Sequence, residues 1–378
     1  MSVVAQFPHE LMDNILIHHA EDSACLKACS LVCRAWFFSS RSLLFRTCLL
    51  LPKNIRRFRD LVHSPVCTIL PHIRKLAVYR NSFHADDGCF NGVADKMRHL
   101  THIHTLDMGL YIDPNASDAH LNAFFCTGFM TAFTHITSLN LTCDYGGGDS
   151  QASPLFDMMG LFPALQVLEV RGIYGTLAEP QTCMALPRDL RSLVLGETSV
   201  GLVFRWMHRA GHLPILESLT LPRVRRLDIP SVREALLYLG NTLRHLIIDL
   251  SRSHSDSLDV HALFDLSLLR NLRTLSIRDA TTPRRRTRSN PAPMLMLIRG
   301  LVAPALESFS LDLDLQLYRH LDWAALDSFL SPVRFPRLQK VVCRCRHSPD
   351  GLFLRKALPL LEASGVLLIQ NKCPGRIC

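Results

Sequence analysis

The residues best suited to chemistry are cysteines and histidines, but their spacing does not assemble a reactive site. Cys25, Cys29 and Cys33 recur every fourth residue, which on a continuous helix places three thiols in one row. Tetrahedral zinc needs ligands that converge from several directions, so this row is more typical of core thiols than of a metal site. The histidines at 18–19 and 99–104 have no acidic or thiol partner at ligand spacing. The sequence therefore predicts no metal and no cofactor.

Three other short patterns could bind phosphate, undergo redox chemistry or contact nucleic acid. Gly146 to Gly148 form a glycine loop, but it lacks the Lys and Ser/Thr of a phosphate-binding loop. Cys343 and Cys345 share one strand face, where a redox pair is rare inside cells. The run Arg284 to Arg288 is either a solvated loop or a contact for an acidic partner. Because no catalytic triad or paired carboxylate follows from local spacing, we expect a protein that is not an enzyme.

The composition predicts an ordered intracellular chain. Apolar residues make up 48% and charged residues 20% of 378 residues, which excludes global disorder. That length suggests several domains or a repeat array. No apolar run approaches the ~18 residues of a membrane-spanning helix, and the N-terminus lacks the pattern of a secretory signal. We therefore expect a cytoplasmic or nuclear protein without a membrane partner.

A leucine-based repeat organises most of the chain. Segments of the pattern apolar-x-x-apolar-x-apolar recur at intervals averaging about 29 residues, as in helix-containing leucine-rich repeats. They begin at Ile73, Ile103, Ile136, Leu165, Leu190, Leu216, Leu243, Leu272, Leu306 and Leu338. Within each segment, apolar residues two apart, such as Leu76 and Val78, share one strand face, which we expect to be buried.

Strands that alternate with helices predict an α/β fold, a leucine-rich-repeat solenoid with parallel strands on its concave face and helices on its convex face. Helix-compatible stretches lie between the strand segments, at 118–133, 199–210, 231–239, 258–269 and 322–330. We divide the chain into an N-terminal helical docking module at 5–50, a linker or cap at 51–72, and about ten repeats at 73–372.

The strand positions that face away from the core are small and mostly polar, which suits recognition of a protein partner. Small polar residues are also tolerated on any solvated sheet face. The candidate substrate-binding residues are Thr105, Asp107, Ser138, Asn140, Ser192, Ser218, His245 and Thr274.

The N-terminal segment carries more apolar surface than it can enclose. Leu11, Ile15 and Leu16 form a helical stripe, and Glu21-Asp22-Ser23 is typical of a helix break followed by an N-cap. About forty residues cannot bury that many apolar side chains alone, so the repeats or another protein should cover some of them.

These N-terminal residues resemble the F-box. The resemblance lies in Phe7-Pro8-x-Glu10-Leu11, Ile15-Leu16, Leu26 and Leu31-Val32-Cys33-Arg34-x-Trp36. With the repeats that follow, the chain is similar to F-box proteins with C-terminal leucine-rich repeats, a type that fungi carry in number. It departs from the pattern at Phe7, where leucine is usual, and at His18-His19-Ala20, where a leucine normally ends the first helix.

The resemblance implies that the module binds a Skp-type adaptor, which bridges to a cullin-RING ubiquitin ligase, while the repeats bind an unidentified substrate protein. The implied adaptor-facing residues are Phe7, Pro8, Leu11, Ile15, Leu26, Val32, Cys33 and Trp36. Two other hypotheses stay open. The chain could be a repeat scaffold whose N-terminal helices cap the solenoid, with Trp36 packed near Ile73, or, ranked last, a nucleic-acid-associated protein that uses Arg284 to Arg288.

Overall fold

The chain is an α/β protein with a parallel sheet. The computed structural model describes residues 8–81, 87–112, 128–145, 158–173, 186–210, 214–222, 224–250, 264–279, 292–345 and 348–371. Within these residues, twelve strands lie in a sheet in the same order as in the chain. The strands are β1 Thr47–Leu50, β2 Lys75–Asn81, β3 Thr105–Ile112, β4 Ser138–Tyr145, β5 Val167–Arg171, β6 Ser192–Leu195, β7 Ser218–Leu221, β8 His245–Asp249, β9 Thr274–Asp279, β10 Ser308–Leu313, β11 Lys340–Cys345 and β12 Leu367–Asn371.

The helices of the same residues lie before the first strand and between the strands. They are α1 His9–His18, α2 Ser23–Cys29, α3 Arg34–Leu44, α4 Ile55–His63, α5 Asp87–Met97, α6 Gly128–Thr131, α7 Val200–Arg209, α8 Ile229–Leu239, α9 Ala292–Arg299, α10 Leu315–Tyr318, α11 Trp323–Phe329, α12 Ser348–Ala357 and α13 Pro359–Ala363.

The ten strands predicted from the repeat are confirmed, and each begins at the third residue of its repeat segment. Neighbouring strands pair so that equivalent repeat positions are opposite each other, as Leu76 is to Leu106 and Leu219 is to Leu246. The apolar residues predicted to face the core are buried; Leu76 is fully buried. Because side chains alternate along a strand, this register puts all the leucine rows on one face of the sheet.

Two strands were not predicted, one before and one after the ten repeats. β1 lies inside the 5–50 range assigned to the docking module and pairs with β2, and β12 pairs with β11. In the matching register, Cys48 of β1 occupies the position that Leu76 fills in β2. In β12, Leu367 opposes Val341, so Ser364 stands at the first, normally apolar position. The β12 segment therefore lacks one apolar residue of the pattern, and the β1 segment has cysteine where the ten predicted strands have leucine, phenylalanine or valine.

The described residues divide into two compact units, the first ending at Leu168 and the second beginning at Glu169. In the first unit, Phe90, Phe129 and Phe133 pack edge to face between α5 and α6, with ring centroids 5.2 and 5.3 Å apart. In the second unit, leucines such as Leu219 and Leu246 are fully buried, as are Val203 of α7 and Leu326 of α11.

Three predicted helices are confirmed, at α7, α8 and α11. Of the predicted stretch 118–133, the described part contains α6. Of the predicted stretch 258–269, the structure describes 264–269, which contain a 3₁₀ turn at Leu266–Leu268. Among the described helices, none combines the length and the apolar character that crossing a membrane requires.

Candidate docking surfaces

The helices α1, α2 and α3 form a small module around a core of their own. Its buried residues are Met12, Leu16 and Leu26, and Trp36 packs against them. Helices α1 and α2 both pack on α3. The module therefore has a core of its own, and Trp36 is part of it.

Helix α1 separates its apolar residues into a buried row and an exposed row. Pro8 stands at the N-cap position, where its fixed φ is compatible with a helix start. Met12 and Leu16 point into the core, whereas Leu11 and Ile15 remain 51% and 41% exposed. The predicted stripe of Leu11, Ile15 and Leu16 thus lies on two sides of the helix.

The chain turns sharply between α2 and α3. Asp22 caps α2: its Oδ1 accepts hydrogen bonds from the amides of Ala24 and Cys25 at 3.1 and 2.9 Å. Helix α2 ends at Cys29, and Cys33 adopts an extended conformation at the N-cap of α3. A single helix carrying Cys25, Cys29 and Cys33 in one row is therefore not formed.

That turn displays large apolar side chains. Leu31 is 86% exposed and Val32 is 57% exposed. Phe38 on α3 is also exposed, with its ring edge-on to Phe37 at 5.5 Å. Leu31 and Phe38 were not among the predicted adaptor contacts. The sequence offered a signal for Leu31, because it directly precedes Val32 in the motif. We call Leu11, Ile15, Leu31, Val32 and Phe38 the exposed apolar set.

The predicted adaptor contacts differ in their exposure, and one of them is buried in the module's own core. Pro8, Leu11, Ile15 and Val32 are exposed, and Cys33 and Trp36 are half-buried. Leu26 is 1% exposed, because it fills the centre of the module's own core, so it cannot contact an adaptor while the module stays folded. Phe7 lies outside the described residues.

Helix α4, in the range assigned to a linker or cap, lies between the paired strands β1 and β2. It buries Ile55, Phe58 and Val62 and packs against α5. The module joins this region through Arg41 of α3, whose guanidinium donates to Thr68 Oγ1 at 2.6 Å. The range 51–72 therefore contributes a helix between two strands, in the same way as the repeat units.

The polar residues predicted to bind substrate lie on neighbouring strands within each unit. In the first unit, Thr105 is opposite Ser138 and Asp107 is opposite Asn140. Lys75 Nζ forms an ion pair with Asp107 Oδ2 at 2.9 Å. The register thus joins these predicted residues into one half-buried polar surface.

In the second unit, Ser192, Ser218, His245 and Thr274 occupy one continuous row across β6 to β9. His245 is exposed, and its Nδ1 lies 2.8 Å from Thr274 Oγ1. This row offers hydroxyl and imidazole groups to a partner.

Charged residues at the start of these strands were not identified from the sequence. Glu217 lies between Arg191 and Arg244, with N–O distances of 3.3 and 3.6 Å. Arg273 pairs with Glu307 at 3.7 Å. All five charged residues occupy the second position of a repeat segment. This shared position is the sequence signal that could have identified them. Such surface pairs contribute only about 0–1 kcal/mol each to stability.

The remaining sequence patterns have different outcomes. The glycine loop at 146–148 and the arginine run at 284–288 lie outside the described residues. Cys343 and Cys345 are buried, and burial raises the pKa of the Cys343 thiol to about 12. That thiol is therefore a poor nucleophile at neutral pH.

Comparison with known proteins gives no family assignment. No protein-family model matches the chain, and no curated protein matches it significantly.

Proposed function

We propose that the chain is the substrate-recognition subunit of a Skp-cullin-F-box type ubiquitin ligase. In this proposal α1 to α3 bind a Skp-type adaptor, and the polar face of the sheet binds a substrate protein. The chain itself catalyses no reaction, and ubiquitin transfer takes place on the partners. The observation that carries the proposal is the exposed apolar set on a module whose core is already formed.

The first support is the position of these apolar side chains. Leu31 and Val32 lie in a turn that two short helices hold in place, and Leu11 and Ile15 lie on the outer side of α1. Single exposed apolar residues are ordinary, but several within one small module are typical of a surface that another protein covers. A partner that buries them gains hydrophobic stabilisation without having to reorganise the module's core.

The second support is the packing of Trp36. A scaffold whose N-terminal helices merely cap the repeats predicts that Trp36 packs near Ile73, the start of the first repeat. Here Trp36 packs against Met12, Leu16 and Leu26, which form the core of the module itself. This packing favours the adaptor-binding proposal over the capping alternative.

The third support concerns the substrate. Extended rows of hydroxyl, amide and charged groups on a rigid parallel sheet suit recognition of a protein surface, since each strand offers one side chain per row in fixed register. The first unit contributes Thr105, Asp107, Ser138 and Asn140, and the second contributes Ser192, Ser218, His245 and Thr274.

Co-expression of the full chain with a Skp-type adaptor tests the proposal. We expect the adaptor to co-purify with the wild-type chain and not with Val32→Glu, because a carboxylate at this position would be buried in the interface. The matched control is Val333→Glu, which changes a 95% exposed valine of the second unit and should leave co-purification intact. Failure of the wild-type chain to retain the adaptor, or equal retention by the folded Val32→Glu variant, would refute the proposal.

A further inference from the structure

The turn between α1 and α2 brings together side chains that can bind a metal ion. A ring nitrogen of His19, a carboxylate oxygen of Asp22 and the sulfur of Cys25 all lie within 4.8 Å of one another. The Cys29 sulfur is 3.9 Å from that of Cys25. These four residues contribute one nitrogen, one oxygen and two sulfur atoms from two directions, the end of α1 and the first turns of α2.

We propose that His19, Asp22, Cys25 and Cys29 form a binding site for a thiophilic divalent cation, Zn²⁺. Zinc binds sulfur at about 2.3 Å and nitrogen or oxygen at about 2.0–2.2 Å, so its tetrahedral ligands are about 3.3–3.8 Å apart. The observed separations exceed this range by about an ångström or less for His19, Asp22 and Cys25. Rotation of exposed side chains closes such a gap without moving the helices.

The backbone holds the turn in the conformation that the site requires. The Asp22 amide donates to the His19 carbonyl at 2.9 Å, and Asp22 Oδ1 caps the first turn of α2. A carboxylate has a second oxygen, so capping with Oδ1 leaves Oδ2 to act as a ligand. The site therefore does not compete with the local structure that places it.

A metal ion would stabilise a module of this small size. Among the described residues, the core of α1 to α3 contains three buried apolar side chains, Met12, Leu16 and Leu26. Helical units of about 40 residues usually need a metal, a disulfide or a partner to be stable. Zinc bound by His19 and Cys25 would fix the end of α1 to α2, which keeps the exposed apolar set in position. The site is independent of the proposed adaptor, since metal binding is measured on the chain alone.

Metal titration of the purified full chain, without a polyhistidine tag, tests the site. We expect the metal-free chain to bind one equivalent of Zn²⁺. Co²⁺ as a probe should give the near-ultraviolet band of thiolate-to-cobalt charge transfer together with the visible d–d bands of tetrahedral cobalt. Absence of the charge-transfer band in the wild-type chain would overturn the proposal without reference to any variant.

Matched substitutions locate the metal. His19→Gln and Cys25→Ser should lose the bound equivalent, whereas His18→Gln and Cys67→Ser should retain it, since neither residue is part of the cluster. Asp22→Asn preserves the helix cap and should still weaken binding. Circular dichroism establishes that each variant is folded. Retention of zinc by both folded His19→Gln and folded Cys25→Ser would contradict the assignment.

Discussion

Helix α1 carries two pairs of apolar side chains that are adjacent in sequence and opposite in exposure. Leu11 and Ile15 face outward, and Met12 and Leu16 face the core of the module. The double substitution Leu11→Ala/Ile15→Ala should therefore weaken adaptor binding while it leaves folding almost unchanged. The substitution Leu16→Ala should instead destabilise the module, because it leaves a cavity in the core.

The magnitudes follow from the exposed fractions. Complete burial of a leucine or isoleucine contributes about 1.5–3 kcal/mol, and about half of each side chain remains to be covered in the free chain. The double alanine variant should therefore lose up to about 1.4–2.8 kcal/mol of binding free energy, which raises Kd about 10- to 110-fold. Truncation of fully buried Leu16 should lower the free energy of unfolding by about 2–5 kcal/mol.

Calorimetric titration with the purified adaptor measures Kd, and urea denaturation of each variant measures stability. Substitutions on the outer side of α1 should change Kd, and substitutions on its inner side should change the free energy of unfolding. An unchanged Kd for folded Leu11→Ala/Ile15→Ala would show that the outer side of α1 does not contact the adaptor. A loss of stability in that variant as large as in Leu16→Ala would show that these side chains are needed for the module itself.

Three further predictions concern the second unit and the buried thiols. Gly201→Ala should destabilise the protein by about 1–3 kcal/mol in chemical denaturation, because its Cβ would lie 1.9 Å from Asp228 Oδ1; an unchanged midpoint would contradict the packing. Asp327→Ala should cost about 2–4 kcal/mol, since the buried carboxylate accepts two amide hydrogen bonds at the start of α13 at 2.8 and 3.0 Å, and Asp327→Asn should restore part of it. Burial raises the pKa of Cys48 and Cys343 to about 12. As the pH rises, these thiols lose their protons in the unfolded chain before they do so in the folded chain, so the free energy of unfolding should fall between about pH 8.5 and 12. The variant Cys48→Ala/Cys343→Ala should show a smaller decline when denaturation is measured across this pH range.

The repeat strands could be predicted from the sequence because one local pattern specifies each of them. Apolar residues such as Leu76 and Val78 are two apart, and a parallel sheet buries one side of every strand, so the pattern determines both position and register. β12 was missed because Ser364 replaces an apolar residue of the pattern, and β1 was missed because Cys48 stands where the ten predicted strands have leucine, phenylalanine or valine. At these positions pairing with a neighbouring strand, and not local sequence, stabilises the strand.

The docking module could be predicted only in part. Leu26 belongs to the same apolar pattern as Val32, and the sequence does not distinguish the one that fills the core from the one that faces outward. That difference arises because α2 ends at Cys29 and the chain turns before α3. The turn between α1 and α2 brings His19 and Asp22 close to Cys25, a juxtaposition that the spacing in the sequence does not reveal.

Amide hydrogen exchange of the full chain, with and without the adaptor, tests most directly whether another protein covers the module. If the proposal holds, the adaptor slows exchange in α1 and in the turn at residues 30–33, while the strands β6 to β11 exchange as before. Unchanged exchange in α1 and in that turn, at adaptor concentrations that saturate a ligase subunit, would contradict the proposed role of the exposed apolar set.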